Sequence, residues 1–258
     1  MLFASRNFLR YMNDDSQLRP VDLARAAGVS VQTVRRFEAS AILPPSERLA
    51  SGHRRFGRRH LDAIVAAVEL TDTVGYAYAS RIMRAASAGA LTNAAIALDE
   101  AHSAIHAKRQ ARLAVVQHLT SVAHATRGHG ARGLHVGEVS ALLSVSESVL
   151  RFWELEGLIS PQRDPRNGYR VYSQRDLDQV VLVQLMRASD YSIDEIRQIA
   201  AAAASGDYEG ATRAVRSSLD ELASASLRSL QAFALLLGSD GSAPATPSRV
   251  PRRRVEAP

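Results

Sequence analysis

The spacing of apolar residues predicts a succession of short elements that begins at Pro20. Val21, Leu23, Ala24 and Ala27 share one face of a helix whose first turn holds Pro20 and Asp22, and Gly28 ends it. Ser30 stands at capping distance from a second helix, 31–39, which turns Val34 and Phe37 inward and Gln32, Thr33, Arg35 and Arg36 outward. Two short helices joined by a tight glycine turn form a helix-turn-helix. The prolines of Ile42-Leu43-Pro44-Pro45 force extended backbone, Ser51-Gly52 makes a turn, and His53-Arg54-Arg55-Phe56 alternates as a returning strand. This is a two-stranded wing. A further helix starts after Gly57, with Leu61, Ile64, Val65 and Val68 as its buried face.

The same pattern occurs twice. Shifting the chain by 116 residues pairs 19–70 with 135–186 without a gap, and 11 of the 52 pairs are identical, among them Arg35/Arg151, Glu38/Glu154, Gly52/Gly168 and Arg54/Arg170. A repeat of this length changes the fold that the sequence specifies. In the second copy the wing turn is Asn167-Gly168, a strong short-hairpin signal, followed by Tyr169 and Tyr172 on the returning strand. The helix after it turns Leu177, Val180, Val181 and Leu185 inward. Phe37, Phe56, Trp153 and Tyr172 are read as core.

Between the copies, Leu91, Leu98, Ile105, Arg112 and Leu119 recur every seven residues, with Ala94, Ala101, Val115 and Val122 at intermediate positions. This predicts a long helix over 91–125. After the second copy, Ala211, Val215, Leu219, Leu222, Leu227, Leu230, Phe233, Ala234 and Leu237 suggest another. The two helices either pair within the chain or each meets its counterpart in a homodimer. The fold expected is mainly α: two winged helix-turn-helix domains joined and followed by long coiled-coil-like helices. The organisation reads as an N-terminal arm 1–18, a first domain 19–90, a linker helix and Gly-rich hinge 91–132, a second domain 133–205, a C-terminal helix 206–237 and a disordered basic tail 238–258.

Composition narrows the function. A chain of 258 residues with formal charge +6 and pI near 10.1 favours a polyanionic partner. The absence of cysteine removes disulfides, thiolate metal sites, iron–sulfur clusters and cysteine nucleophiles. No signal peptide or membrane span is read, so the expected location is the cytoplasm, on the nucleoid.

The run Val31-Gln-Thr-Val-Arg-Arg-Phe-Glu, Ile42-Leu-Pro-Pro, Gly52-His-Arg-Arg-Phe and Leu61 resembles the winged helix-turn-helix of the MerR family of bacterial transcription regulators. The second copy, with Val149-Leu-Arg-Phe-Trp-Glu-Leu-Glu-Gly-Leu-Ile, Asn167-Gly-Tyr-Arg-Val-Tyr and Leu177, resembles it more closely, and Tyr191-Ser-Ile-Asp-Glu-Ile matches the family's fourth helix, capped by Ser192 and Glu195. The resemblance implies binding of double-stranded DNA, untwisting or bending of promoter DNA, and RNA polymerase as a partner. Family members usually carry one such domain and dimerise through a long C-terminal helix, whereas this chain supplies both copies. Copy one departs from the family at Ala41, where glycine is usual, and at Arg36 and His53, where aromatics are usual.

An element in the major groove and donors for the flanking phosphates are what such an architecture needs. In copy one these are assigned to Gln32, Thr33, Arg35 and Arg36 on the helix and His53, Arg54 and Arg55 in the wing; in copy two, to Ser148, Arg151, Tyr169 and Arg170. Residues 19–70 carry nine Arg against five Asp or Glu, net +4, and residues 135–186 carry five against seven, net −2. The expected function is a covalent pseudo-dimer on two half-sites. The alternative keeps one domain on DNA and docks the acidic one on a protein such as RNA polymerase or another regulator. Neither enzyme activity nor a cofactor or metal is expected. Gly128-His-Gly-Ala-Arg-Gly133 fits G-x-G-x-x-G but follows a helix, and reads as linker. His102 and His106 stand one turn apart with only Asp99 near, and read as a packed or solvated pair. Arg252-Arg253-Arg254 add phosphate contacts or merely solvate the tail.

Overall fold

The computed structural model describes residues 18–48, 54–124 and 133–239. The arm before Leu18, the first wing's tip with His53, residues 125–132 and the tail from residue 240 lie outside the described residues. Two compact units divide the chain: residues 1–99 with 227–258, and residues 100–226.

In the first unit, α1 (Pro20–Ala27) carries proline in its first turn, and the Asp22 carboxylate accepts the Arg19 backbone N–H at 2.9 Å. Gly28 ends it in the left-handed region at φ 69°. Its buried face is Leu23, Ala24 and Ala26, while Val21 is exposed. That corrects the expected face, because Val21 precedes Leu23 by two residues and so lies about 200° around the helix from it. The Ser30 hydroxyl accepts the Thr33 N–H at 3.1 Å and caps α2 (Val31–Ala39), which buries Val34 and Phe37. Strands β1 (Glu47–Arg48) and β2 (Arg54–Arg55) pair antiparallel as the wing, and Phe56 bridges to Leu18. Helix α3 (Arg58–Ser87) is interrupted at Gly75, whose φ of 81° and ψ of 158° are not helical. Leu61 and Ile64 are buried as expected, but Ala63, Ala66, Ala67 and Leu70 take the rest of the face and Val65 and Val68 are only half-buried. The small alanines let neighbouring elements approach closely and push the valines to the flank. Helix α4 (Leu91–His124) adds Ala94, Ala97 and Leu98 to this core.

The second unit repeats the plan with β3 (Leu134–His135), α5 (Val136–Leu143), α6 (Glu147–Leu155), β4 (Gln162–Arg163), β5 (Arg170–Tyr172), α7 (Gln174–Ala188) and α8 (Ile193–Ser205). Its three strands are antiparallel in the order β3-β5-β4. The wing turn is longer than a two-residue Asn-Gly hairpin, because Arg163 pairs with Arg170 and the loop runs from Asp164 to Tyr169. Asp164 opens it by accepting the Arg166 N–H at 2.8 Å, Pro165 has no N–H to continue a ladder, and only Gly168 takes a left-handed φ, 75°. Val180 is buried, with Leu182, Val183 and Met186, whereas Leu177, Val181 and Leu185 are half-buried. Ser192 and Glu195 cap α8 reciprocally, as expected. Val115 and Leu119 of α4 complete this core, with Ala211 and Val215 of α9 (Tyr208–Ser239).

Helix α9 also gives Ala232, Phe233 and Leu236 to the core of the first unit. Leu227, Leu230, Ala234 and Leu237, expected in its stripe, are exposed, and Ser218 and Ser229 are buried instead. The five-residue step from Leu222 to Leu227 rotates the face by about 140°, so the leucine series leaves the packed side.

The duplication extends further than the amino-acid identities. Under the same 116-residue shift α1 falls on α5, α2 on α6, and the start of α3 on that of α7. The Leu18–Phe56 bridge coincides with the Leu134–Tyr172 pair. Shifting Leu91–His124 gives 207–240, one residue from each end of Tyr208–Ser239. The repeated module therefore includes the long helix.

Candidate nucleic-acid interface

Capping at Ser30 and burial of Val34 and Phe37 fix the roll of α2, which leaves Gln32, Arg35 and Arg36 exposed and Thr33 half-buried. The Thr33 hydroxyl lies 2.9 Å from that of Ser30. The Arg36 guanidinium lies 5.9 Å from the Phe37 ring centroid. In the wing Arg55 stands opposite Glu47. Arg54 turns its Nε to Glu38 of α2, at 3.1 Å from Oε1 and 2.8 Å from Oε2.

The second unit sets the same frame and dresses it differently. Ser146 caps α6, with Leu150 and Trp153 buried. Ser148 is exposed with its hydroxyl 3.0 Å from that of Ser146, and Arg151 is exposed beside Glu147 at 3.4 Å. Tyr169 is 67% exposed at the wing tip. Arg170 is half-buried, and its Nε donates to Glu154 Oε2 at 2.5 Å. That bond is the main cause that raises the Arg170 pKa above its ordinary value.

Sequence reasoning missed two features here. Glu38 and Glu154 join the recognition helices to the wings, and the signal was available, since Glu38/Glu154 and Arg54/Arg170 are both identities of the repeat. The second is apolar: Val149, Phe152 (47% exposed) and Leu155 (85% exposed) occupy α6 where α2 has Thr33, Arg36 and Ala39. Comparing the copies position by position would have found it.

At the base of the first wing, the buried His60 accepts the Gly57 N–H on Nδ1 at 3.1 Å and donates from Nε2 to the Pro45 carbonyl at 3.2 Å. Burial lowers its pKa and the Pro45 hydrogen bond partly opposes this. Asp62 is buried as well; burial raises its pKa, against the Arg58 hydrogen bond at 2.9 Å. Among the described residues no three His, Asp or Glu side chains gather to hold a metal ion. Among them, too, no helix is long and apolar enough to cross a membrane.

Two helix-turn-helices, each followed by a wing that its own recognition helix holds, define a tandem winged helix-turn-helix protein. Residues 134–203 match the model of the MerR HTH family regulatory proteins, and residues 19–56 that of the MerR family regulatory proteins. The chain therefore carries two MerR-type domains in tandem. It is similar to the HTH-type transcriptional regulator CueR of Vibrio cholerae serotype O1, 30% identical over 25% of this chain and 46% of the relative. It is also similar to the heavy metal-dependent transcription regulator 2 of Rhizobium meliloti, 31% identical over 26% and 46%, and to CueR of Escherichia coli O157:H7, 27% identical over 24% and 46%. The chain thus spans about half the length of the curated relatives it matches. The family is one of regulators, not enzymes. No solved structure matches the chain significantly.

Proposed function

We propose that the protein is a DNA-binding transcription regulator in which the two winged domains act as a covalent pseudo-dimer on two half-sites of double-stranded DNA in the bacterial cytoplasm. The duplication of the whole module, long helix included, supports this reading best. Each unit's core takes residues from both long helices: Ala94 and Leu98 with Ala232 and Leu236 in one, Val115 and Leu119 with Ala211 and Val215 in the other. A second chain is then not needed to complete either core. Gln32, Thr33, Arg35 and Arg36 in copy one, and Ser148 and Arg151 in copy two, serve the groove and the adjacent backbone. Arg55, His53 and Tyr169 serve the backbone from the wings.

Selection of bound duplexes from a random library by the intact chain, followed by footprinting and sedimentation of the complex, tests it. One chain protecting two unequal half-sites is expected. A perfect palindrome bound by two chains would refute the pseudo-dimer and indicate ordinary homodimers.

The exposed Val149, Phe152 and Leu155 favour a second reading, in which the acidic unit docks a protein such as RNA polymerase while copy one holds DNA. Arg151→Ala combined with Tyr169→Ala separates the two. Unchanged affinity and footprint length would assign the second unit to protein; a shortened footprint assigns it to DNA.

A further inference from the structure

We propose that Glu38 and Glu154 are positioning residues for DNA recognition: each carboxylate fastens its wing to the last turn of its recognition helix, and Arg54 and Arg170 act through that fastening instead of as phosphate contacts. The proposal rests on the DNA-binding reading and changes the role of two of its arginines.

Four observations carry it. The pairs Arg54–Glu38 and Arg170–Glu154 stand at the same repeat positions, with Nε within 2.8 Å and 2.5 Å of the carboxylate. Each carboxylate also reaches the other side of its wing, by different residues. In copy one the Ser46 hydroxyl donates to Glu38, and in copy two Arg163 lies 3.6 Å from Glu154. The repeat counterparts of Ser46 and Arg163 are Gln162 and Glu47, so the two wings reach one arrangement by separate routes. The carboxylates are largely withdrawn from solvent, with side chains 13% and 23% exposed. Finally, the wing pairing is short among the described residues: β1 and β2 share two residue pairs beside the Leu18–Phe56 bridge, and β4, at the edge of the second sheet, shares two with β5. A two-stranded hairpin of that size has little stability of its own.

An anion on a surface that meets phosphate is repelled, which makes an electrostatic role for these glutamates unfavourable and a structural one consistent. Held this way, wing and recognition helix share one rigid frame. The backbone grip then sets the register in which the helix meets base edges.

The test uses the intact chain, the duplex it selects from a random library, and a scrambled duplex of equal length. Glu38→Gln and Glu154→Gln remove an anion, so charge alone predicts tighter binding to both duplexes. Fastening predicts a loss of about tenfold on the selected duplex per copy, with the scrambled duplex unchanged or tighter. Arg54→Lys, which keeps a phosphate partner and loses the planar fork, should lose selectivity with an unchanged salt slope. Selected-duplex affinity that holds or rises in both glutamine variants overturns the proposal. If no duplex is selected, the DNA-binding reading fails, and hydrogen exchange in the free chain still decides the fastening. Faster exchange at residues 54–56 and 170–172 in the glutamine variants supports it; unchanged rates overturn it.

Discussion

Ala41 and Gly157 occupy the same position of the repeat, just after the recognition helix, and both are left-handed, at φ 55° and 70°. Their N–H groups make the same bond, to the carbonyls of Glu38 and Glu154, each at 3.0 Å. Ala41 is exposed, and a Cβ placed on Gly157 would meet no atom within 4 Å, so packing contributes nothing and backbone strain decides. A left-handed non-glycine residue costs about 1–2 kcal/mol. Replacing alanine by glycine gives the unfolded chain freedom worth about 0.4–1 kcal/mol. Ala41→Gly should therefore stabilise the first unit by about 0.5–1 kcal/mol, and Gly157→Ala should destabilise the second by the same amount. For a protein of this size that is a shift of about 1–4 °C in midpoint. Because two units can melt separately, calorimetry should be paired with hydrogen exchange that assigns each change to its unit. A destabilising Ala41→Gly would mean that left-handed strain is not what distinguishes the copies there, and would refute the reasoning.

The Tyr172 hydroxyl is buried without a hydrogen-bond partner among the described residues, and copy one already carries Phe56 at that position; Tyr172→Phe should be neutral or stabilise by up to about 1 kcal/mol in denaturant unfolding. Burial depresses the His60 pKa, so the unfolded chain takes the proton first. The stability it confers is complete above its ordinary value of about 6.5 and falls away as pH drops below that; His60→Asp, the residue found at the counterpart Asp176, should flatten the decline in a midpoint-against-pH profile. Arg228 of α9 binds Glu69 at 3.3 Å and Asp72 at 2.9 Å from a partly exposed position, so Arg228→Ala should cost about 1 kcal/mol, less in high salt, measured by urea unfolding at two ionic strengths.

Caps and turns wrote most of the frame into the sequence. Ser30, Gly28 and the Ser192–Glu195 pair bound their helices where local chemistry said they would, because each satisfies a backbone group within four residues. What failed depended on partners distant in sequence. Whether Val21 or Ala26 is buried is settled by what packs on α1, and the leucines of α9 form a convincing local series that the cores do not use. The candidate site was legible to the same extent. Outward positions on α2 and α6 follow from the burial of their opposite faces, but the partner of Arg54 lies 16 residues away, and no spacing rule for an isolated arginine points to it. The kink at Gly75 shows the same limit. Glycine in an alanine-rich run is tolerated inside helices, and only the comparison with the second copy, where the 116-residue shift carries Gly75 to Tyr191 between α7 and α8, marks the break in α3.

The two modules keep one frame and differ on their surfaces, and covalent duplication accounts for both. Frame positions such as Ser30/Ser146, Glu38/Glu154 and Arg54/Arg170 are identical because each module must still close its own helix-turn-helix and hold its own wing. Surface positions are under no such demand. In a homodimer one recognition helix reads both half-sites, so a change that helps one half is imposed on the other. Two copies in one chain are released from that. Thr33 and Arg36 face Val149 and Phe152 across the repeat, and net +4 faces net −2 over residues 19–70 and 135–186. Each phosphate contact adds to the salt dependence of binding. Arg35→Ala should then reduce the salt slope more than Arg151→Ala, its counterpart in the repeat, does. Equal reductions from the two copies would show that the divergence in charge has not divided the labour of holding DNA.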